Sequence, residues 1–181
     1  MSAAPVDRVA DPGRLAALHR LALLDTPPEE AFDRLTRLAV KVVEAPVALV
    51  TLVDAQRQFF KSQVGLDEPW ASRRGTPLSH SFCQHVVTSG APLVVEDARQ
   101  HPLVAGNPAI AEMGVVAYVG VPLTLAEGHT LGTLCAIDRA PRQWTVAQIG
   151  LLRDLAAAGM TEIELRRLLR EHRALLASSA R

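Results

Sequence analysis

Apolar residues recur at helical spacing near the start of the chain. The pair Asp11-Pro12 is a typical helix start, with Asp as the N-cap and Pro at the first helical position, and leucines follow at intervals of three. A second apolar face runs from Phe32 to Val43 and ends before Pro46, which cannot continue a helix. We therefore predict two helices in this part of the chain.

After the second helix, the spacing of apolar residues changes from the helical period to the alternation that is typical of strands. Residues 47–53 are apolar on both faces and rich in β-branched side chains, which predicts a strand that is covered from both sides. In the next strand, residues 58–64, Phe60 lies on an apolar face and Lys61 on a face that we expect to meet water. Further strands are predicted at residues 92–96, 115–123 and 131–137. The intervening residues 65–78 and 97–114 are predicted to be irregular.

A long helix is predicted from about residue 145 to about residue 176, a length of roughly 45 to 50 Å. Its first half is suited to packing on a sheet, whereas its second half places leucines among charged residues. Because such a seam of leucines needs a partner, we predict a homodimer through the opening and closing helices. The alternative is that the helix folds back on its own domain. The candidate dimer residues are Leu15, Leu18, Leu165, Leu168, Leu169 and Leu175.

Helices at both ends of mostly hairpin-linked strands indicate the α+β class and not a repeated βαβ unit. We expect a flexible arm at residues 1–11, one domain at residues 12–164, and an extension of the closing helix at residues 165–181.

Composition and charge exclude several classes of function. The chain of 181 residues has 19 basic and 19 acidic residues, so its net charge favours neither nucleic acid nor an anionic membrane as a partner. No apolar run approaches the roughly 20 residues of a membrane span, and the first residues lack the apolar core of a signal peptide. We expect a cytoplasmic protein in which the two cysteines, Cys83 and Cys135, are free thiols.

The segment PLSHSFCQHVV, residues 77–87, concentrates histidine and cysteine side chains. A helix capped by Ser79 and closed by Gly90 places Cys83 on its apolar face, and His80 and His85 on the opposite face. These three side chains therefore do not converge on one ion, and we predict no metal site. If strand 131–137 underlies this helix, Cys83 and Cys135 meet across a pocket, which leaves a redox role open. No nucleotide-binding or hydrolase signature is present, and no catalytic residue is assigned.

Six short motifs occur in order between residues 31 and 155. They are DxxRxFFKSxxGL at 54–66, SFCxHVV at 81–87, LVVxDAR at 93–99, NP at 107–108, YxGxPL at 118–123 and LGTLCxID at 131–138. Together they resemble the GAF domains of bacterial signalling proteins.

The resemblance implies a twisted antiparallel sheet of five to six strands, with the terminal helices on one face and a cavity on the other, beneath a connecting helix and loops. It also implies a sensor that binds an unknown small molecule, or a partner, and signals to an output domain or partner protein. The candidate cavity residues are Phe60, Phe82, Cys83, Tyr118, Thr133 and Cys135, with Trp70, Asn107 and Met113 as lid candidates.

Departures from the family's patterns narrow this function. GAF domains of phytochromes attach a bilin through a cysteine commonly followed by histidine, whereas here Gln84 follows Cys83. The signature of cyclic-nucleotide-binding members is absent, and no cofactor is identified. Two alternatives remain open: a thiol-dependent redox enzyme or sensor similar to free methionine sulfoxide reductases, and a purely structural dimerisation module with a filled core.

Overall fold

The computed structural model describes residues 8 to 179. Its helices and strands are α1 (Pro12–Leu21), α2 (Glu30–Val43), β1 (Val47–Val53), β2 (Arg57–Val64), α3 (Trp70–Arg73), β3 (Gly75–Pro77), α4 (Cys83–Ser89), β4 (Leu93–Val95), α5 (Ala109–Met113), β5 (Ala117–Thr124), β6 (Thr130–Asp138) and α6 (Val146–Ser179), with a 3₁₀ turn at Leu78–His80.

Within the described residues the strands form a six-stranded antiparallel sheet in the order β3-β2-β1-β6-β5-β4. Every residue of β1 is buried, as its continuous apolar run predicts for a central strand. The predicted α+β class is confirmed. The sequence did not indicate β3, because this edge strand has three residues and ends in Pro, too short for an alternating pattern.

The sheet separates two apolar clusters among the described residues. Helices α1, α2 and α6 pack on one face, where Leu18, Phe32, Leu152 and Ile163 are fully buried. Helices α4 and α5 and the loop between β4 and α5 cover the other face, around Phe60. This arrangement agrees with terminal helices on one face and connecting segments on the other.

The N-terminal end of the described chain is ordered by two side chains. The Asp11 carboxylate accepts from the backbone N–H of Arg14 at 2.7 Å, which confirms Asp11 as the cap of α1. The Arg14 guanidinium donates to the backbone oxygens of Val9 and Val53, so it ties this turn to β1. Of the predicted flexible arm, residues 1–7 lie outside the described residues, while residues 8–11 form a turn with Val9 buried.

Helix α6 begins with a reciprocal cap, since Thr145 and Gln148 exchange backbone-to-side-chain hydrogen bonds of 3.0 and 3.1 Å. The helix packs on the sheet as far as Ile163 and then continues beyond it. The leucines of this extension, at positions 165, 168, 169, 175 and 176, are exposed. No helix among residues 8–179 is both long and apolar enough to cross a membrane.

The two leucines of the opening helix α1 that were predicted to lie in a dimer interface are not exposed. Leu18 is fully buried in the chain's own core, which explains its apolar character without a partner, and Leu15 is half-buried. The exposed leucine seam therefore belongs to α6.

Candidate functional site

A small cavity lies between the sheet and helices α4 and α5. Its volume is about 20 Å³, close to the space that one water molecule needs. Its lining comes from four strands, both helices and the segments beside them. It consists of Leu49, Gln58, Phe60, His80, Phe82, Cys83, Ala109, Met113, Val115, Tyr118, Cys135 and Ile137.

Most of the candidate cavity residues from the sequence meet here. The cavity is lined by Phe60, Phe82, Cys83, Met113, Tyr118 and Cys135. Thr133 lies beside it and contacts Cys83, and Trp70 covers its edge through His80. Asn107 lies outside the lining, because its side-chain oxygen accepts from the N–H of Ala109 and so caps the start of α5.

The start of α4 corrects the predicted cap at Ser79 and the predicted placement of His80. The helix begins at Cys83 and not near Ser79, because the Ser81 hydroxyl accepts from the backbone N–H of Gln84 and caps it. His80 therefore belongs to the preceding 3₁₀ turn and reaches the cavity lining, and Ser81 is fully buried. The sequence missed both, because a helical projection does not hold across a cap. The predicted end at Gly90, in the left-handed conformation, is confirmed.

Hydrogen-bond donors converge on Cys83. Thr133 Oγ1 donates to Cys83 Sγ at 3.1 Å, and the Tyr118 hydroxyl donates to the same sulfur at 3.4 Å. Cys135 lies next to Cys83 on the same side of the sheet, so the predicted meeting of the two thiols is confirmed. Thr51, opposite Thr133 in the sheet, is also fully buried.

These donors make the two thiols unequal. Burial raises the pKa of Cys83, but the adjacent Cys135 thiol and the hydroxyls of Thr133 and Tyr118 outweigh burial and lower the pKa to about 7. The neighbouring Cys83 sulfur and burial raise the pKa of Cys135 well above its ordinary value. Burial and the charge of Cys83 likewise raise the pKa of Tyr118. Cys83 is therefore the more acidic thiol of the pair, and its lowered pKa depends on residues distant in sequence.

The edge of the cavity is held by His80 and its neighbours. His80 Nε2 lies 3.0 Å from Glu112 Oε2, and the Trp70 ring packs on the imidazole with 5.7 Å between ring centroids. Trp70 Nε1 also donates to the backbone oxygen of Glu112 at 3.4 Å. These contacts tie the segment before α4 to α5, so opening the cavity requires breaking them.

An ion pair between a buried lysine and a partly exposed glutamate lies on the opposite face of the sheet. Lys61 follows Phe60 in β2, and its side chain is fully buried, whereas the sequence indicated a face in contact with water. Its ammonium group donates to Thr26 Oγ1 at 2.6 Å and to the Pro27 oxygen at 2.9 Å, and it pairs with Glu29. The segment preceding α2 thus covers β2, although it has no periodic pattern that predicts such packing.

Glu29 links Lys61 to the closing helix. Its other carboxylate oxygen accepts from Arg166, which also binds Glu162 at 2.6 Å. The Phe32 ring centroid is 5.4 Å from Lys61 Nζ and 5.3 Å from Arg166 Cζ, within cation–π range of both. Burial raises the pKa of Glu29, but its hydrogen bonds to the two cations give a net lowering. Burial lowers the pKa of Lys61, an effect that Glu29 opposes.

Within the described residues, no group of three or more His, Cys, Asp and Glu side chains is arranged to hold a metal ion.

The comparisons with known proteins agree with the six motifs. The sequence profile described as GAF domain matches residues 27–163. A cyclic di-GMP phosphodiesterase of Pseudomonas aeruginosa is 37% identical over 130 residues, which cover 71% of this chain. The matched part is 21% of that protein, so the chain spans about a fifth of its relative's length.

Solved structures share the fold at low sequence identity. The GAF domain of PixJ from Thermosynechococcus elongatus, in its blue-light absorbing form, matches with a TM-score of 0.65 and 18% identity over 93% of this chain and 98% of that one. The free methionine-R-sulfoxide reductase of Neisseria meningitidis, solved with its substrate, matches with a TM-score of 0.62 and 15% identity over 88% and 95% of the two chains. At these identities the likeness establishes the fold alone.

Proposed function

Because the chain belongs to the GAF domain family, a family of sensory domains, we propose that it is a non-catalytic sensor that binds a small molecule in the cavity and signals through α6. The main support is that β2 joins the two faces of the sheet. Phe60 lines the cavity, while Lys61, the next residue, holds Glu29 on the other face. Since Glu29 also binds Arg166, a displacement of β2 at the cavity reaches α6 through two ion pairs.

The closed cavity defines what binding requires. A volume of about 20 Å³ is far below the roughly 300–1,000 Å³ of typical small-molecule sites. An effector therefore binds an open form in which α4 and α5 have moved outward and the contact between His80 and Glu112 is broken. Its differential affinity for the open and closed forms determines how far it shifts the equilibrium between them.

The extension of α6 is the output in this proposal. Leu165, Leu168 and Leu175 are exposed and follow the spacing of a coiled-coil seam, with Arg166 and Arg170 beside them. We propose that a second copy of the chain packs on this seam. The altered helix pair then acts on an output domain or on a partner protein.

The test perturbs the cavity and measures α6. Phe60→Leu, which removes part of the cavity wall on β2, is expected to change the amide hydrogen exchange of residues 165–179, measured by mass spectrometry. In a Glu29→Gln background the same change should have no such effect, because Glu29 no longer transmits it. Val104→Ala is the matched control: Val104 is buried on the cavity side but lies outside β2 and the cavity lining. It should alter stability and leave α6 unchanged.

A purely structural dimerisation module is the second candidate, favoured by the near-filled cavity. For such a module, Phe60→Leu would leave the exchange of residues 165–179 unchanged, or would change it equally with and without Glu29. Either outcome would contradict the sensory proposal and favour this alternative.

A further inference from the structure

The two free cysteines connect the lid of the cavity to the sheet. Cys83 lies in α4, which covers the cavity, and Cys135 lies in the long strand β6 beneath it. Both are buried, and both line the same cavity. A covalent bond between them would fasten α4 to β6 and so hold the cavity closed.

The environment favours reaction at one of the two sulfurs. The hydroxyls of Thr133 and Tyr118 both donate to Cys83 Sγ, and such donors stabilise a thiolate, the nucleophilic form of cysteine. The neighbouring Cys83 sulfur and burial raise the pKa of Cys135, so Cys135 is the weaker acid of the two thiols. An attacking sulfur and a second cysteine thus lie side by side, the arrangement in which a sulfenic acid can condense with a thiol to form a disulfide.

The size of the cavity limits the oxidant. A space of about 20 Å³ admits a molecule near the size of water and excludes bulky disulfides or sulfoxides. We propose that Cys83 and Cys135 form a peroxide-sensitive thiol pair: a small hydroperoxide oxidises Cys83, and Cys135 then closes a disulfide between α4 and β6. The reaction depends neither on dimerisation nor on the ion pairs of Glu29, so it stands apart from the proposed signalling route.

The chemistry balances in two steps. The Cys83 thiolate attacks one peroxide oxygen, so that an S–O bond forms and the O–O bond breaks. The leaving hydroxide takes up the proton that the Cys83 thiol released and becomes water. The Cys135 sulfur then attacks the sulfenic acid on Cys83, forming the S–S bond and breaking the S–O bond, and the departing hydroxyl leaves as water with the Cys135 proton. Two thiols are oxidised by two electrons, and one hydrogen peroxide is reduced to two waters.

The test uses the full chain, reduced and then exposed to hydrogen peroxide. Peptide mapping without reductant is expected to find a peptide containing Cys83 linked to one containing Cys135. In Cys135→Ser the reaction should stop at a sulfenic acid on Cys83, trapped by dimedone. In Cys83→Ser, Cys135 should oxidise at least about tenfold more slowly than Cys83 does in Cys135→Ser, since the hydroxyls of Thr133 and Tyr118 donate to the sulfur at position 83.

A second pair of variants distinguishes activation of the sulfur from mere packing. Thr133→Val removes the shorter hydrogen bond to Cys83 and is expected to move the midpoint of the pH profile of the oxidation rate upward from about 7. Thr36→Val is the control, because Thr36 is equally buried but lies on the other face of the sheet, bonded to Ser62. It should leave the midpoint unchanged. If Thr133→Val does not fold, Tyr118→Phe removes the other donor and keeps the ring.

The outcomes decide the proposal directly. Faster oxidation of Cys83 in Glu112→Gln, which weakens the edge contact with His80, would support entry through the lid. Equal oxidation rates for the two cysteines would overturn the proposal, as would a sulfenic acid that persists in the wild type without a disulfide. It would equally be overturned if oxidation occurred only at the rate of global unfolding.

Discussion

Tyr118 reaches Cys83 because Gly120 leaves room for its ring. Tyr118 and Gly120 are on the same face of β5, two positions apart. A methyl group at position 120 would overlap the Tyr118 hydroxyl. Gly120→Ala is therefore expected to displace the ring and to lower the free energy of unfolding by about 1–3 kcal/mol, as overpacked cores do. Urea denaturation measures this change.

Gly150→Ala provides the matched control. Residue 150 lies in α6, and an added Cβ there would meet no atom within 4 Å. Since Gly is a poor helix former, this substitution should stabilise the protein by about 0.5–1 kcal/mol. Opposite signs at the two positions are expected. A neutral or stabilising Gly120→Ala would mean that Tyr118 does not depend on the missing side chain.

At the residue scale, sequence patterns predicted apolar cavity residues better than polar ones. Alternation placed Phe60 on an apolar face, and the family resemblance made Phe60 and Phe82 cavity candidates; both line the cavity. Lys61 was predicted to face water, because a charged side chain is rarely buried without a partner, and its partner Glu29 lies 32 positions away. Asn107 was predicted as a lid residue but caps a short helix that no periodic pattern indicates.

At the scale of elements, the long helices and strands were predictable and the short ones were not. The span of α6 follows from its apolar period, whereas α5 has five residues and α3 four, too few to show a period. The start of α4 was misplaced because Ser79 and Ser81 are both suitable caps by residue type. Only the hydrogen bond from Gln84 to Ser81 distinguishes them.

The exposed seam of α6 allows a direct test of dimerisation. Replacing both Leu165 and Leu168 with Glu places like charges on the surface that the second copy is proposed to cover, so a monomer is expected. Analytical ultracentrifugation measures the mass. Leu103→Glu is the control, since Leu103 is 58% exposed and Leu168 57%, but Leu103 lies outside α6. A double variant that still dimerises would contradict the proposal that a second copy packs on these leucines.

At the scale of the whole molecule, long helices cover one face of the sheet and short helices cover the other. The 14-residue helix α2 and the 34-residue helix α6 cover one side. On the other side lie α4 with seven residues and α5 with five, around a small cavity that contains polar and thiol groups. Short helices bury little apolar surface, so the cavity side is expected to open without unfolding the sheet.

This difference between the two faces predicts one free energy for a partial opening at α4 and a larger one for global unfolding. In hydrogen exchange at low urea concentrations, the amides of α4 should exchange through a partial opening with a small urea dependence, while those of β1 and β6 should exchange only through global unfolding. Alkylation of Cys83 should follow the first process, because its sulfur becomes accessible when α4 lifts. If α4 and β6 instead show the same free energy and the same urea dependence, the two faces unfold together. Neither an effector nor a peroxide could then enter through a lid that opens independently.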